Sequence, residues 1–325
     1  MLIIYKMKEF VKREFAMLAS NRMGDKRLNR NALGIICIIL SAVLFGWMPF
    51  LAKIAYDYGG NAYTVSLGRF LFGTVVSAMV LMARHQSALL VSTKNRRHLF
   101  LLSMLYAATP LSLYESYHYI GTGLATALHF TYPVFVMLLM RLLFHVSFTG
   151  RGMVCMILSI LGVFLLCDLS SGMAMFGLFI AVLSGVLYAS YIVLVGKTSL
   201  IKESVFVLTF WICLLASVEL AIVTIIDGRC PWPWSWQECT AEFCLGLFST
   251  VMALPLFQKG VLLCGEVKAS LFSTFEPITS ILIGIAVFGE AMNFRIASGV
   301  LLVLFAVCLL AMSQTDKCGQ RRGDS

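Results

Sequence analysis

Charge is scarce in this sequence. Only 13% of its 325 residues are charged, 60% are hydrophobic, and the mean hydropathy is +0.90. So little charge cannot cover a water-facing surface of ordinary composition, which excludes a conventional soluble globule. There is no HExxH, no GxSxG, no CxxC and no Cys/His metal-ligand spacing, so nothing points to a metal, a cofactor or an intramembrane enzyme. Gly196-Lys197-Thr198 imitates the end of a phosphate-binding loop. Tyr191 stands where its first glycine belongs, however, and no strand precedes it, so a nucleotide motor is excluded. No Asn-x-Ser/Thr acceptor occurs, and no N-terminal apolar stretch leads to a small-residue cleavage site.

What is present is a series of apolar runs. They recur at approximately 33 to 53, 62 to 83, 98 to 118, 123 to 144, 152 to 168, 172 to 195, 204 to 226, 241 to 262, 267 to 288 and 293 to 313. A helix needs roughly 20 apolar residues to cross a hydrocarbon core, so the pattern predicts an all-α integral membrane protein of ten transmembrane helices. The net charge of +9 comes from basic residues at the chain ends and in alternate loops rather than on one face, which argues against nucleic acid as a partner. One side of the predicted membrane collects most Lys and Arg. The other has only Lys53, Arg229 and Arg295, so both termini are expected in the cytoplasm. Seven of the ten cysteines lie in or beside apolar runs and read as small fillers. Cys230 and Cys239 bracket a loop expected outside the membrane, where a disulfide can form. Trp232, Trp234 and Trp236 in that loop read as interfacial residues.

Sliding the chain on itself by 143 to 144 residues overlays two copies. Leu40-Ser41-Ala42-Val43-Leu44-Phe45-Gly46 falls on Leu183-Ser184-Gly185-Val186-Leu187-Tyr188-Ala189, and Gly121, Ala125 and Pro133 fall on Gly265, Ala269 and Pro277. Each copy holds five crossings, an odd number, so the second enters from the opposite side. The expected organisation is a basic N-terminal segment at 1–31, inverted five-helix repeats at 32–168 and 172–313, and a tail at 314–325.

Pro133 and Pro277 lie about ten residues into their apolar runs, where a proline frees a backbone carbonyl near the midplane; each is either a packing kink or the mark of a central substrate site. Glu276 precedes Pro277, and Arg69 stands two turns into the second run. Both are costly in a membrane unless paired or facing water, so they are site candidates, with a structural ion pair as the alternative. Tyr114, Glu115, Tyr117, His118 and Tyr119 end the third run, and His129 and Tyr132 lie in the fourth. Glu115 and His118 share a helical face, a spacing that suits either a proton relay or interfacial anchoring. Glu219 is a candidate of the same kind, and Trp47, Tyr188, Tyr191 and Trp211 read either as cavity aromatics or as packing and belt residues.

Phe275-Glu276-Pro277 through Phe288-Gly289-Glu290, followed by a last apolar run, resembles the closing half of an EamA repeat of the drug/metabolite transporter superfamily. Leu67-Gly68-Arg69-Phe70-Leu71 and Thr131-Tyr132-Pro133-Val134-Phe135 resemble its second- and fourth-helix motifs. His145-Val146 departs from the pattern where the second half has Gly289-Glu290. The resemblance implies a multi-pass carrier with a central cavity that opens alternately to each side. The expected function is a secondary transporter of the cytoplasmic membrane that exports a small metabolite or drug-like compound, with a proton or ion gradient as the expected drive. A non-transporting sensor or assembly protein, a nucleotide-sugar-like carrier and a channel are the alternatives.

Overall fold

The computed structural model describes residues 23–84, 96–120, 122–146, 150–166, 175–198, 204–228, 234–288 and isolated positions between 294 and 309. Cys230 and most of the last apolar run lie outside the described residues, as do residues 1–22 and the 314–325 tail. The described secondary structure is helical throughout. Its elements are α1 (Met23–Phe45), α2 (Met48–Asp57), α3 (Ala62–Ala83), α4 (Arg96–Ile120), α5 (Thr122–His129), α6 (Tyr132–Phe144), α7 (Gly150–Leu166), α8 (Met175–Lys197) and α9 (Val205–Ile226). They continue as α10 (Trp236–Leu245), a π-helical segment Gly246–Ala253, α11 (Leu254–Cys264), α12 (Glu266–Phe272) and α13 (Phe275–Phe288).

Local chemistry sets the helix ends. Asn61 caps α3 through a capping box with Thr64: its side chain accepts from the Tyr63 and Thr64 backbone N–H groups, and Thr64 Oγ1 accepts from the Asn61 N–H. Ser235 caps α10 by accepting from the Glu238 N–H at 3.1 Å. His145 closes α6 with φ 51°, a left-handed conformation usually left to glycine, at the position that the repeat matches to Gly289.

Five helical stretches among the described residues are long and apolar enough to cross a membrane: 30–57, 62–83, 175–197, 205–226 and 236–264. α4 is long enough, at 25 residues, but one face carries Ser103, Tyr106, Thr109, Tyr114, Ser116 and Tyr117 in buried positions, which dilutes its apolar character. The molecule turns its apolar side chains outward. Leu71, Val75, Met79 and Met82 form an exposed stripe on α3, and Val218, Ile222, Ile225 and Ile226 one on α9. Stripes of this kind are what a lipid environment covers.

The matched prolines do not act as kinks within continuous helices. Pro133 is the second residue of α6 and follows a break at Phe130–Thr131, and Pro277 is the third residue of α13 and follows a break at Ser273–Thr274. A proline in the first turn lacks an N–H that would have no intrahelical partner anyway, so it starts a helix at little cost. A further break at Gly46–Trp47 separates α1 from α2, which begins with Pro49 in the same way. α5 and α6, on either side of one break, both pack on α8. α12 and α13, on either side of another, both pack on α1.

Small residues permit these approaches. A Cβ at Gly185 would lie 3.0 Å from the His129 carbonyl oxygen, and one at Gly46 would lie 2.6 Å from Thr279 Cβ and 3.1 Å from the Glu276 carbonyl oxygen. Ser280 Oγ donates to the Gly46 carbonyl at 2.9 Å, tying α13 to the end of α1.

Candidate functional site

Arg69 is 2% exposed on α3 and its guanidinium is held from two sides. Nε donates to Thr250 Oγ1 at 3.1 Å, and Nη2 donates to Tyr106 Oη at 2.9 Å. The guanidinium carbon also lies 5.3 Å from the Phe70 ring centre and 5.6 Å from that of Tyr106, close enough for cation–π attraction. Tyr114 Oη interacts electrostatically with Arg69 but makes no hydrogen bond of good geometry, which leaves a buried hydroxyl unpartnered beside the cation.

Glu276, the second residue of α13, is half-buried behind the Ser273–Thr274 break. Its charge acts on Arg69 and on the hydroxyls of Tyr106, Tyr114, Tyr117, Tyr132 and Tyr188. An acid and a base therefore share one interior region walled by tyrosines. This is how intramembrane charges are tolerated: each acts on the other and on the polar groups around it.

The aromatic wall is continuous. Tyr106 packs on Tyr191 at 4.8 Å between ring centres, Tyr191 stacks on Tyr188 at 6.2 Å, and Tyr188 meets Tyr132 at 4.8 Å and His129 at 5.5 Å. Polar tips are tied down along it. Gln258 Nε2 donates to Tyr191 Oη at 3.0 Å, Tyr132 Oη donates to Ser273 Oγ at 2.6 Å, and His129 Nδ1 shares a 2.9 Å hydrogen bond with Ser184 Oγ. Satisfied groups of this kind hold the rings in fixed places, as a preformed polar interior requires.

Of the residues picked from sequence, Arg69, Tyr114, Tyr132 and Glu276 converge here, and His129 joins through Tyr132 and Tyr188. Glu115 and His118 do not. Glu115 is half-buried and its charge acts on Tyr56, while His118 is exposed and rests edge-on against Tyr119. Glu219 lies elsewhere, accepting a 2.7 Å bond from Ser103. Cys239, near the start of α10, is half-buried with a free thiol. Sequence reading passed over Tyr106, Thr250 and Gln258. A signal existed for the first: Tyr106, Pro110, Tyr114 and Tyr117 recur at helical spacing along one face of α4.

The family model of the EamA-like transporter family matches residues 32–167 and again 175–312. An uncharacterized transporter of Synechocystis sp. is 25% identical over 320 residues, covering 87% of this chain and 94% of the relative. An uncharacterized transporter of Archaeoglobus fulgidus is 24% identical over 277 residues, covering 85% and 95%. One solved crystal structure is similar with a TM-score of 0.73 at 15% identity, over 86% of this chain and 96% of that one, a likeness of fold alone.

Proposed function

This chain belongs to the EamA-like transporter family and is a multi-pass membrane protein, and from that premise we propose that it is a secondary carrier exporting a small metabolite or drug-like compound across the cytoplasmic membrane by alternating access. The carrier has ten crossings in two inverted five-helix repeats, with both termini in the cytoplasm.

The observation that carries this reading is the buried Arg69 sharing a tyrosine-lined interior with Glu276, inside a molecule whose outer faces are apolar. Fixed charges of both signs, held on separate helices, offer a polar compound partners that lipid cannot. Three features support the inverted repeat. The two family matches divide the chain into similar halves. Tyr132 and Glu276 occupy matched positions before matched prolines. The broken helix of each half packs on the first helix of the other. Discontinuous helices near a central site are a recurrent transporter device, because half-helices can rock about the break. Arg69 and Glu276 bind the substrate in this reading, and the breaks at 46–47, 130–131 and 273–274 serve as hinges.

Untargeted metabolite profiling of cells and medium tests it, comparing the intact protein with Glu276→Gln and Arg69→Ala at equal expression. A compound enriched outside only with the intact protein is the expected result. Equal profiles for all three proteins would remove the site and favour a non-transporting role.

A further inference from the structure

Glu238 and Glu242 stand one turn apart on α10 and are 3% and 0% exposed. They face α3, where glycines let them approach the backbone. A Cβ at Gly68 would collide with the Glu242 carboxylate, and one at Gly60, just before α3, would lie 3.0 Å from Glu238 Oε1. Thr64, four residues from each glycine on the same face, meets Glu238. Glu238 Oε1 and both carboxylate oxygens of Glu242 have no hydrogen-bond partner.

Among the described residues, Glu238 makes hydrogen bonds with Thr64 and with the Ser235 backbone, and Glu242 makes none. The charge that acts on Glu242 is that of Glu238. On α10 itself the neighbouring titratable group is the Cys239 thiol. α2 carries Lys53 and Asp57, both exposed, and Tyr56, whose hydroxyl donates to the Tyr114 carbonyl at 3.0 Å. α3 carries Arg69, whose guanidinium is turned to Thr250 and Tyr106. Two ionised carboxylates so placed would repel each other, and Glu242, with neither oxygen hydrogen-bonded, would be desolvated without return. A bound proton removes both penalties. A metal cation would require more oxygen ligands than two carboxylates and one hydroxyl readily supply.

The pair is also wired to the central site. Glu238, Glu242, Gly246 and Thr250 follow one another at intervals of four residues. A Cβ at Gly246 would lie 2.8 Å from the Arg69 carbonyl oxygen, and Thr250 accepts from Arg69 Nε. The helix changes from α to π within this run, at Gly246–Ala253. Such π segments frequently mark functional sites.

We propose that Glu238 and Glu242 form a proton-binding site whose occupancy is transmitted along the α3–α10 crossing to Arg69, coupling proton movement to the transport cycle. The proton is taken from water and returned to it, and the bond that forms and breaks is a carboxyl O–H. The coupling half of this inference rests on the carrier reading, whereas proton binding does not.

The test uses the full-length protein in lipid nanodiscs and needs no substrate. Infrared difference spectra between mildly acidic and mildly alkaline buffer should show a protonated-carboxyl carbonyl band. That band should be lost in Glu242→Gln and in the Glu238→Gln/Glu242→Gln double variant, and should persist in Glu276→Gln. Gln is nearly isosteric with the protonated acid. If the double variant fails to fold, Glu242→Asp should shift the band instead. Hydrogen exchange of α3 and of Gly246–Ala253, corrected for intrinsic rates, should differ between the two buffers in the intact protein, and the double variant should match the acidic state in both. An unchanged band in the double variant, or an unshifted one in Glu242→Asp, overturns the site, and pH-independent exchange in the intact protein overturns the coupling. Absence of any exported compound, with both spectroscopic results as expected, would sink the carrier reading and leave the proton site standing.

Discussion

Tyr132 Oη donates a 2.6 Å hydrogen bond to Ser273 Oγ, 141 positions further along the chain. The bond joins the start of α6 to the break between α12 and α13, so the two interrupted helices touch at their interruptions. Ser273 in turn donates back to the Ala269 and Ser270 carbonyls.

Tyr132→Phe should therefore be a mild change. It removes one hydroxyl while Ser273 keeps its backbone acceptors, and a neutral hydrogen bond contributes about 1 kcal/mol net. We expect a small drop in the thermal midpoint of the detergent-solubilised protein, with transport slowed rather than abolished. A loss of folding would show that the ring, not the hydroxyl, anchors the break.

Arg69→Lys should fail to rescue Arg69→Ala. A lysine keeps the charge but cannot donate to Thr250 and Tyr106 in two fixed directions at once. Both variants are expected to insert in the membrane and to lose export of whatever compound profiling identifies, and stability should fall by roughly 1–3 kcal/mol in each. Wild-type export by the Lys variant would show that only the charge matters.

Gly46→Val should destabilise the α1–α13 contact. The added side chain meets Thr279 Cβ and the Glu276 carbonyl, and overpacking of this kind costs typically about 1–3 kcal/mol. Gly150→Ala is the control, because no described residue lies within 4 Å of its Cβ position. Thermal unfolding of the two purified variants, compared side by side, decides the matter.

Gly68→Ala and Glu242→Ala should be strongly coupled. The first collides with the Glu242 carboxylate and the second removes that carboxylate, so the double variant should be more stable than the sum of the single losses implies. Additive losses would mean that α3 and α10 can shift apart freely.

Lys197→Ala should matter little. Its ammonium lies 3.3 Å from Glu266 Oε1, with the lysine side chain 35% and the glutamate side chain 11% exposed, and pairs open to solvent on one side contribute about 0–1 kcal/mol. Unfolding midpoints within error of the intact protein are expected, and a loss beyond that range would give the pair a structural role.

Much of the candidate site was legible beforehand because charge in an apolar run is locally visible. Arg69 and Glu276 stand out by their cost alone, and Pro133 and Pro277 by their matched places. Glu238 and Glu242 were not visible in this way. They lie close to a Trp- and Pro-rich loop, where an acidic residue looks like ordinary solvated surface. Their burial depends on Gly60 and Gly68, which reach them only once α3 and α10 have packed. Glu115 and His118 show the converse, since a helical spacing suited to a proton relay ends with His118 on the outside.

The sequence by itself determined that this chain lives in a membrane, that it is helical, where its apolar runs begin and end to within a few residues, and to which family it is similar. All of these follow from hydropathy, period and local motif, properties of neighbours in the chain. Only the tertiary structure decided that Arg69 is held by Thr250, 181 positions away, that the matched prolines start new helices after breaks rather than bend continuous ones, and which tyrosines surround Glu276. In the apolar interior of a membrane, side-chain polarity says that a group must find a partner, but the close contacts that helices reach at their glycines choose which one.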